Sequence, residues 1–262
     1  MSDPTPITSR DNPLLKRLRV LAQDNIAYRK QGQVWLEGDH LCRALLVRQL
    51  RPAVALFAES AWSGADPALK RAAPKVHTVP DALMAGISGL ESPAGMGFLW
   101  DLPPDEGIKP GAATVVLDRL QDAGNVGSIL RSAAAMGFAQ VLAIKGTAAL
   151  WSPKVLRAGM GAHFGLRLVE GLGVEALEGL GVPLLVTSSH QGEWLHQAEL
   201  PWPCAWVMGH EGQGVGPALT TMAARSVRIV QPGGEESLNV AAAAAVCLHA
   251  SACGVAAGRS GF

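Results

Sequence analysis

A lone arginine on a predicted helix is the first residue whose type and setting could do chemistry. Residues 117–138 predict a strand, a polar loop and a helix over 125–137, and Arg131 is the only ionised side chain in that helix. Taken alone, Arg131 is a solvated helical residue and Asn125 is a helix cap. Because an unpaired buried guanidinium is costly, however, an arginine on so apolar a helix favours a phosphate or carboxylate ligand.

A glycine-rich loop follows a later predicted strand. Residues 209–216, GHEGQGVG, contain four glycines around Glu211. Such a loop lets the backbone approach a ligand closely, and open α/β sheets bind ligands at the carboxyl ends of their strands. A ligand loop is therefore favoured over a merely tight turn.

A third segment, 227–250, predicts a strand, a Pro-Gly-Gly loop and a long helix from about Ser237. Ser237 could simply cap that helix. Asn239 would lie in the first turn, where asparagine is a poor helix former, so its amide suggests another task.

Several common sites are excluded by what the sequence lacks. No lysine is followed by serine or threonine, so there is no Walker A loop, and neither a GxSxG elbow nor an HExxH motif occurs. The four cysteines, Cys42, Cys204, Cys247 and Cys253, form no CxxC pair. We therefore expect free thiols in a reducing compartment, with neither a disulfide framework nor a metal site.

The composition is that of a globular protein, since 48% of the 262 residues are hydrophobic and 17% are charged. Lys plus Arg and Asp plus Glu both number 22, and this balance argues against bulk electrostatic capture of nucleic acid. A local basic surface stays open, because residues 1–51 carry nine basic and five acidic side chains. The longest wholly apolar run, 240–248, is far short of a membrane span, and the first residues lack an apolar signal core. We expect a cytoplasmic protein.

The elements that position these residues alternate between strand and helix, which predicts an α/β protein in two parts. Residues 101–111 hold three prolines and two glycines and are the linker candidate, dividing 1–105 from 106–262. In the first part, Asn12 and Pro13 would begin a helix as cap and first-turn residue. In the second part the strands are apolar on both faces, which indicates a parallel sheet covered on both sides. Strands are predicted at 34–38, 53–57, 76–79, 96–100, 114–118, 140–144, 165–169, 182–187, 204–208 and 226–230, with helices between them that include one over 173–180.

Together the three segments resemble the motifs of the SpoU (TrmH-like) branch of the SPOUT RNA methyltransferases. Their order and spacing agree over residues 112–250. The first 105 residues, with ITSRDNPLLKRLRVL and VWLEGDHLCRALL, are similar to the L30e-like RNA-binding domain that many members carry. The residues that match are Asn125, Gly127 and Arg131 in motif one, Gly209, Glu211, Gly212 and Gly214 in motif two, and Ile229, Pro232, Ser237, Leu238, Asn239 and Val240 in motif three.

The resemblance implies a methyl transfer from S-adenosylmethionine to a ribose 2′-hydroxyl in structured RNA. It also implies a deep trefoil knot in the C-terminal domain, an exception to ordinary chain topology, and a homodimer whose active site lies at the subunit interface. Ribosomal RNA is the first choice of substrate, because L30e-like domains read shape and unpaired loops, and transfer RNA is the alternative. Two other readings stay open: a SPOUT enzyme that methylates a base, and an RNA-binding module without catalysis.

The resemblance further implies a role for each matching residue. Arg131 matches the catalytic arginine, Asn125 would help orient it, Glu211 could pair with it, and Ser237 and Asn239 would border the methyl-transfer site. The cofactor would lie against Met208, Gly209, Ile229, Pro232, Leu238 and Val240. From charge clustering we add Lys16, Arg17 and Arg19 as phosphate contacts to RNA.

The proton of the 2′-hydroxyl needs an acceptor. Arg131 as general base is hard to defend, because a guanidinium is almost always protonated in proteins. An electrostatic role is easier to defend, with Arg131 holding the adjacent phosphate while a phosphate oxygen or water takes the proton. Two positions depart from the family pattern: Gln231 stands where an apolar residue is usual, and His210 where a small one is.

Overall fold

The structure, a computed structural model, describes residues 3–188, 191–233 and 237–258. Its residues pack as two compact α/β units. The first comprises Met1–Pro104 and Trp151–Phe164, and the second comprises Asp105–Leu150 and Gly165–Phe262. The division falls in the predicted linker, but the return of 151–164 to the first unit is a feature that the linear division 1–105 and 106–262 does not contain.

Strands and helices alternate along both units. The strands are β1 (Thr5–Pro6), β2 (Gln33–Glu37), β3 (Val54–Ala58), β4 (Lys75–Val79), β5 (Met96–Asp101), β6 (Thr114–Leu117), β7 (Gln140–Ile144), β8 (Arg167–Leu172), β9 (Leu184–Thr187), β10 (Glu193–Trp194), β11 (Ala205–Met208) and β12 (Arg225–Arg228). The helices are α1 (Pro13–Gln23), α2 (Ala27–Gln31), α3 (Asp39–Val47), α4 (Glu59–Trp62), α5 (Pro67–Lys70), α6 (Asp81–Ala85), α7 (Ala123–Ala135), α8 (Pro153–Gly159), α9 (Pro217–Met222) and α10 (Val240–Gly258).

The first unit is built on a mixed sheet in the order β1-β4-β3-β5-β2, in which β5 runs antiparallel to both of its neighbours. As predicted, α1 begins at Pro13, and the side chain of Asn12 caps it by accepting a hydrogen bond of 2.9 Å from the amide of Leu14. Leucines of α1 are buried at helical spacing, which leaves Lys16 and Arg17 on the exposed face.

The second unit is built on a seven-stranded sheet in the order β10-β12-β9-β11-β6-β7-β8, and every pairing in it is parallel. This confirms the predicted parallel sheet. The central strands β6, β7 and β11 are buried along their whole length, which explains their apolar sequences. Because all strands run the same way, the loops that follow β6, β11 and β12 leave from one edge.

Several boundaries differ from the sequence prediction. The helix expected from Ser237 begins at Val240, and the strand expected to reach Val230 ends at Arg228. The helix expected over 173–180 is only a 3-10 turn at Val174–Leu177. Glycines on both sides of this segment leave too few residues to nucleate a longer helix.

The deep trefoil knot that the resemblance implies stays a prediction, because the order of strands in the sheet does not test it. Within the described ranges, no helix has the length and apolar character that crossing a membrane requires.

Candidate active site

Three loops meet at the carboxyl edge of the parallel sheet. They follow β6, β11 and β12, and the strand order places β11 beside β6 and separates it from β12 by β9 alone. All three chemically distinctive segments of the sequence therefore lie at one edge, where open α/β sheets bind ligands.

Glu211 joins the loop after β11 to the beginning of α7. Its carboxylate accepts hydrogen bonds from the backbone amides of Gln121 (3.3 Å) and Asp122 (3.2 Å) and from the side-chain amide of Asn125 (3.2 Å). The expected partner was Arg131, but these contacts are to the start of α7 instead. An ion pair between Glu211 and Arg131 is absent from the described part of the chain, because the carboxylate is already held by amide donors.

The hydrogen bonds also favour the ionised form of Glu211. Partial burial opposes ionisation, but donors from the backbone of Glu211 itself, from Asn125, and from the amides of Asp122 and Gln121 together lower the pKa of this carboxyl. The group is therefore charged at neutral pH, where it holds the two loops together most strongly.

Asn239 connects the third loop to the same point. Its side-chain amide donates to Oδ1 of Asn125 over 3.0 Å. Its own Oδ1 accepts from the amides of Ala241 (2.9 Å) and Ala242 (3.2 Å), so it is Asn239 that caps α10. The expectation that Ser237 caps this helix is wrong, because α10 begins three residues later, and Ser237 is an exposed loop residue.

Asn125 is thus the residue at which all three segments touch. It receives a hydrogen bond from Asn239 and donates one to Glu211. The simplest interpretation, that Asn125 caps α7, is wrong. The cap is Asp122, whose carboxylate accepts a hydrogen bond of 2.7 Å from the backbone amide of Asn125.

Arg131 lies on the outer face of α7. Val126, Ile129 and Leu130 are buried beneath the helix, whereas Arg131 is exposed. The argument that Arg131 needs a partner because it is buried is therefore wrong. Among the residues that the structure describes, no side chain or carbonyl pairs with it, and its guanidinium faces solvent where a phosphate could bind.

The loop after β11 folds tightly on itself. The backbones of His210 and Gly214 exchange two hydrogen bonds of 3.0 and 2.8 Å, and Nδ1 of His210 accepts the Gly212 amide at 3.0 Å. A Cβ at Gly209 would lie 2.3 Å from the carbonyl carbon of Gly214, so only glycine fits there. The His210 departure thus has a local structural explanation.

The expected cofactor residues lie at this edge and differ in exposure. Met208 ends β11 and is buried, Gly209 follows it, and Ile229 follows β12 half-buried. Beyond them Leu238 is 41% exposed, so its apolar side chain is accessible to a ligand. The other expected residues are Pro232, which is exposed in the same loop, and Val240, which begins α10.

Two residues that directly follow β6 contact the glycine-rich loop, and the sequence analysis did not identify them. Asp118 is buried and accepts the Gly216 amide at 2.7 Å. Arg119 binds Asp118 through Nε at 2.8 Å and reaches Gln213 from Nη1 at 3.1 Å. The sequence signal that could have identified them is an ionised residue directly after an apolar strand, because such a residue lies at the edge of the sheet where the loops leave.

The three residues expected to contact RNA are on α1, in the first unit. Lys16 pairs with Asp11 at 2.9 Å, Arg17 donates to Gln33 at 3.2 Å, and Arg19 donates to the carbonyl of Arg10 at 3.1 Å. Lys16 and Arg17 line an open groove of about 530 Å³. In the described ranges no three His, Cys, Asp or Glu side chains group as metal ligands would.

Comparison with known proteins gives one consistent result. Residues 112–249 match the sequence profile of the SpoU rRNA Methylase family. An uncharacterized tRNA/rRNA methyltransferase of Synechocystis sp. is 32% identical, over 95% of this chain and 93% of its own length. A 23S rRNA (guanosine-2′-O)-methyltransferase of Bacillus subtilis is 32% identical over 66% of this chain and 71% of its own length. A solved RNA 2′-O ribose methyltransferase superposes with a TM-score of 0.79 at 29% identity, over 96% of this chain and all of that one.

Proposed function

The chain belongs to the SpoU rRNA methylase family of S-adenosylmethionine-dependent RNA 2′-O-methyltransferases, and from this premise we propose that it methylates a ribose of ribosomal RNA with Arg131 as the catalytic residue. The single observation that carries the assignment of the site is the hydrogen-bonded junction of Asn125, Glu211 and Asn239. It joins the three motif-bearing loops and leaves the guanidinium of Arg131 exposed on the same helix.

The residues present fit S-adenosylmethionine. The loop backbone packs closely at Gly209, where no side chain intervenes, and Ile229 and Leu238 offer accessible apolar surface. Flat apolar pockets with backbone donors suit adenine. Met208, Gly209, Ile229, Pro232, Leu238 and Val240 would hold the cofactor, which when bound supplies an electrophilic methyl group.

Arg131 would act on the RNA. A 2′-hydroxyl is a poor nucleophile and must lose its proton as it attacks the methyl carbon. A permanently charged guanidinium binds the adjacent phosphate and favours the developing alkoxide, while a phosphate oxygen or water accepts the proton. Asn125, Glu211 and Asn239 fix the start of α7 and thereby the position of Arg131, and the exposed Ser237 borders the transfer site.

Ribosomal RNA is favoured as substrate because the relative from Bacillus subtilis acts on 23S rRNA. The basic face of α1, with Lys16, Arg17 and Arg19, would bind RNA phosphates beside the groove of the first unit. We also propose a homodimer, which the resemblance to the family implies; Val246 on α10, 42% exposed, is one apolar side chain that a second copy would cover. Free cysteines fit a reducing, cytoplasmic setting.

The test of the substrate is tritiated-methyl transfer to RNA from a strain that lacks the gene. We expect label in ribosomal RNA, at a nucleotide that resists alkaline hydrolysis because its 2′-oxygen is blocked. Label in transfer RNA would instead indicate a tRNA methyltransferase. Label in a base would indicate an enzyme that methylates bases. If no RNA fraction takes up label, the protein is an RNA-binding module without catalysis.

The test of the catalytic residue is Arg131→Ala. We expect turnover to fall by about 10²- to 10³-fold, which is the range that removal of one electrostatic group costs. The dissociation constant of S-adenosylmethionine, measured by calorimetry, should stay within about twofold, because Arg131 acts on RNA. Arg225→Ala is the control for loss of a positive charge, since Arg225 lies at the amino end of β12, where it pairs with Glu193 at 3.1 Å. An equal loss of cofactor affinity in Arg131→Ala would assign this residue a structural role.

A further inference from the structure

Arg119 adopts a backbone conformation that arginine rarely occupies. Its φ is +59°, in the left-handed region that glycine prefers. A side chain there costs free energy, and such outliers persist where the surrounding structure holds them for a purpose. The contacts of the Arg119 side chain are therefore expected to offset the cost of this backbone conformation.

The guanidinium of Arg119 bridges two loops. Nε and Nη2 donate to the two oxygens of Asp118 at 2.8 and 3.1 Å, and Nη1 donates to Oε1 of Gln213 at 3.1 Å. Asp118 is 2% exposed, and one of its oxygens also accepts the Gly216 amide at 2.7 Å. Both Gln213 and Gly216 belong to the loop that follows β11.

The neighbours of Arg119 leave room for this arrangement. A Cβ at Gly216 would lie 3.3 Å from Nη2, and a Cβ at Gly146, in the loop after β7, would lie 3.3 Å from Cγ of Arg119. Side chains at either glycine would crowd the arginine. The space around the guanidinium is thus shaped by residues of three successive loops along the sheet edge.

We propose that Arg119 is a positioning residue for the cofactor, which holds the loop 209–216 in the conformation that binds S-adenosylmethionine. This inference rests on the proposed function of that loop. Arg119 holds Gln213 directly and Gly216 through Asp118, while Glu211 is held separately at the start of α7.

The physical effect is preorganisation. A glycine-rich loop has much conformational freedom to lose when it closes on a ligand, and each loop contact that exists beforehand reduces that loss. Gln213 is exposed and contacts Arg119, so its amide oxygen fixes the tip of the loop between Glu211 and Gly214. Loss of this contact would weaken cofactor binding without touching Arg131.

The experiment measures the dissociation constant of S-adenosylmethionine by calorimetry for the full chain and for Arg119→Gly, Gln213→Ala and the double variant. Glycine keeps the left-handed backbone at 119 and removes only the side chain. Gln49→Gly is the matched control, because Gln49 also has a φ of +59° but lies in the first unit. All variants are compared at a temperature where circular dichroism reports them folded.

We expect Arg119→Gly to raise the dissociation constant about tenfold and Gln213→Ala about threefold or more, which is the usual range for coupled contacts. The double variant should bind no worse than Arg119→Gly, since both changes break one bridge. Gln49→Gly should leave the constant unchanged. A merely structural arginine would lower the melting temperature without this pattern.

An unchanged constant in Arg119→Gly would overturn the inference. If Arg119→Gly fails to fold because Asp118 loses its partner, Gln213→Ala decides alone, and wild-type affinity in that variant would overturn the inference equally. Should the wild-type chain itself fail to bind S-adenosylmethionine, the proposed function fails first, so the two failures are distinguishable.

Discussion

At the scale of single residues, Glu211 is the side chain on which the arrangement of the loops depends most directly. It binds three amide donors from the start of α7, and these donors hold its pKa below the ordinary value of 4.5. Folding therefore favours the ionised form. The unfolded chain binds more protons than the folded one in the window just below 4.5, so stability from this group is complete above that value and is lost as the pH falls through the folded pKa.

Replacement of Glu211 with glutamine removes this titration while keeping the shape of the side chain. We expect the melting temperature of the wild-type protein to fall more steeply than that of Glu211→Gln as the pH falls below 4.5. Differential scanning calorimetry at closely spaced pH values measures both slopes. Parallel slopes would mean that Glu211 does not have a lowered pKa in the folded protein.

The sequence predicts which residues form the site better than it predicts their contacts. Asn125, Glu211 and Asn239 are brought together as the motifs imply, because parallel strands deliver their loops to one edge. Their pairing depends on side-chain rotamers and on where each helix begins, and neither is encoded by spacing. For the same reason the left-handed backbone of Arg119 is invisible in the sequence.

At the scale of elements, α7 is the helix that contains Arg131, the proposed catalytic residue, and mutation of its N-cap tests whether the start of α7 positions that residue. The carboxylate of Asp122 accepts the Asn125 amide at 2.7 Å. We expect Asp122→Ala to lower the free energy of unfolding by about 1 kcal/mol. Because a frayed first turn also displaces Asn125, methyl transfer at saturating substrate should fall several-fold.

The matched control for the α7 cap is Asn12→Ala, which removes the corresponding cap of α1 at 2.9 Å. The loss of stability, measured by denaturant titration, should be of similar size in both variants, about 1 kcal/mol. At saturating RNA only Asp122→Ala should slow the reaction, because α1 is proposed to bind RNA and not to position Arg131. Equal rates in the two variants would show that the start of α7 does not position the catalytic side chain.

The helix α1 is the element that would bind RNA. Replacing Lys16, Arg17 and Arg19 together with alanine should weaken RNA binding at low salt and reduce the slope of log affinity against log salt by about two to three. Filter binding or fluorescence anisotropy across a salt series measures this. An unchanged slope would place the RNA surface elsewhere. The charge-matched control replaces three exposed basic residues outside α1, namely Arg48, Arg51 and Lys75.

The elements themselves are mostly predictable, because apolar runs and caps are local signals. The central strands and α7 lie within a few residues of their predicted bounds. The short elements β1, β10, α2 and α4 were not predicted, since two to five residues carry too little pattern. The order of strands in each sheet is set by packing between distant segments, which periodicity does not report.

At the scale of the whole molecule, burial determines which thiols can react. Cys42, Cys204 and Cys247 are buried, and burial raises the pKa of Cys204 to about 11 and that of Cys247 to about 12. The pKa of Cys42 is also raised, chiefly by burial and in addition by Asp39. Only Cys253 is exposed.

A thiol reagent should therefore modify at most one cysteine of the folded protein. We expect no more than one equivalent of Ellman's reagent to react at pH 8, and the remaining three only after unfolding, because a thiol with so high a pKa forms almost no thiolate. Absorbance at successive denaturant concentrations measures the release. Rapid reaction of two or more thiols in the native protein would contradict the burial of the core.

The helix α8 has a consequence for how this polypeptide could be divided. Residues 151–164 belong to the first unit although they fall between strands of the second, and Val155, Leu156 and Trp151 are buried there. A cut in the proline-rich linker would leave the C-terminal fragment with the apolar side chains of α8 exposed, because the unit that covers them would be gone. A recombinant chain with a foreign segment in place of residues 1–104 would need new apolar partners for Trp151, Val155 and Leu156.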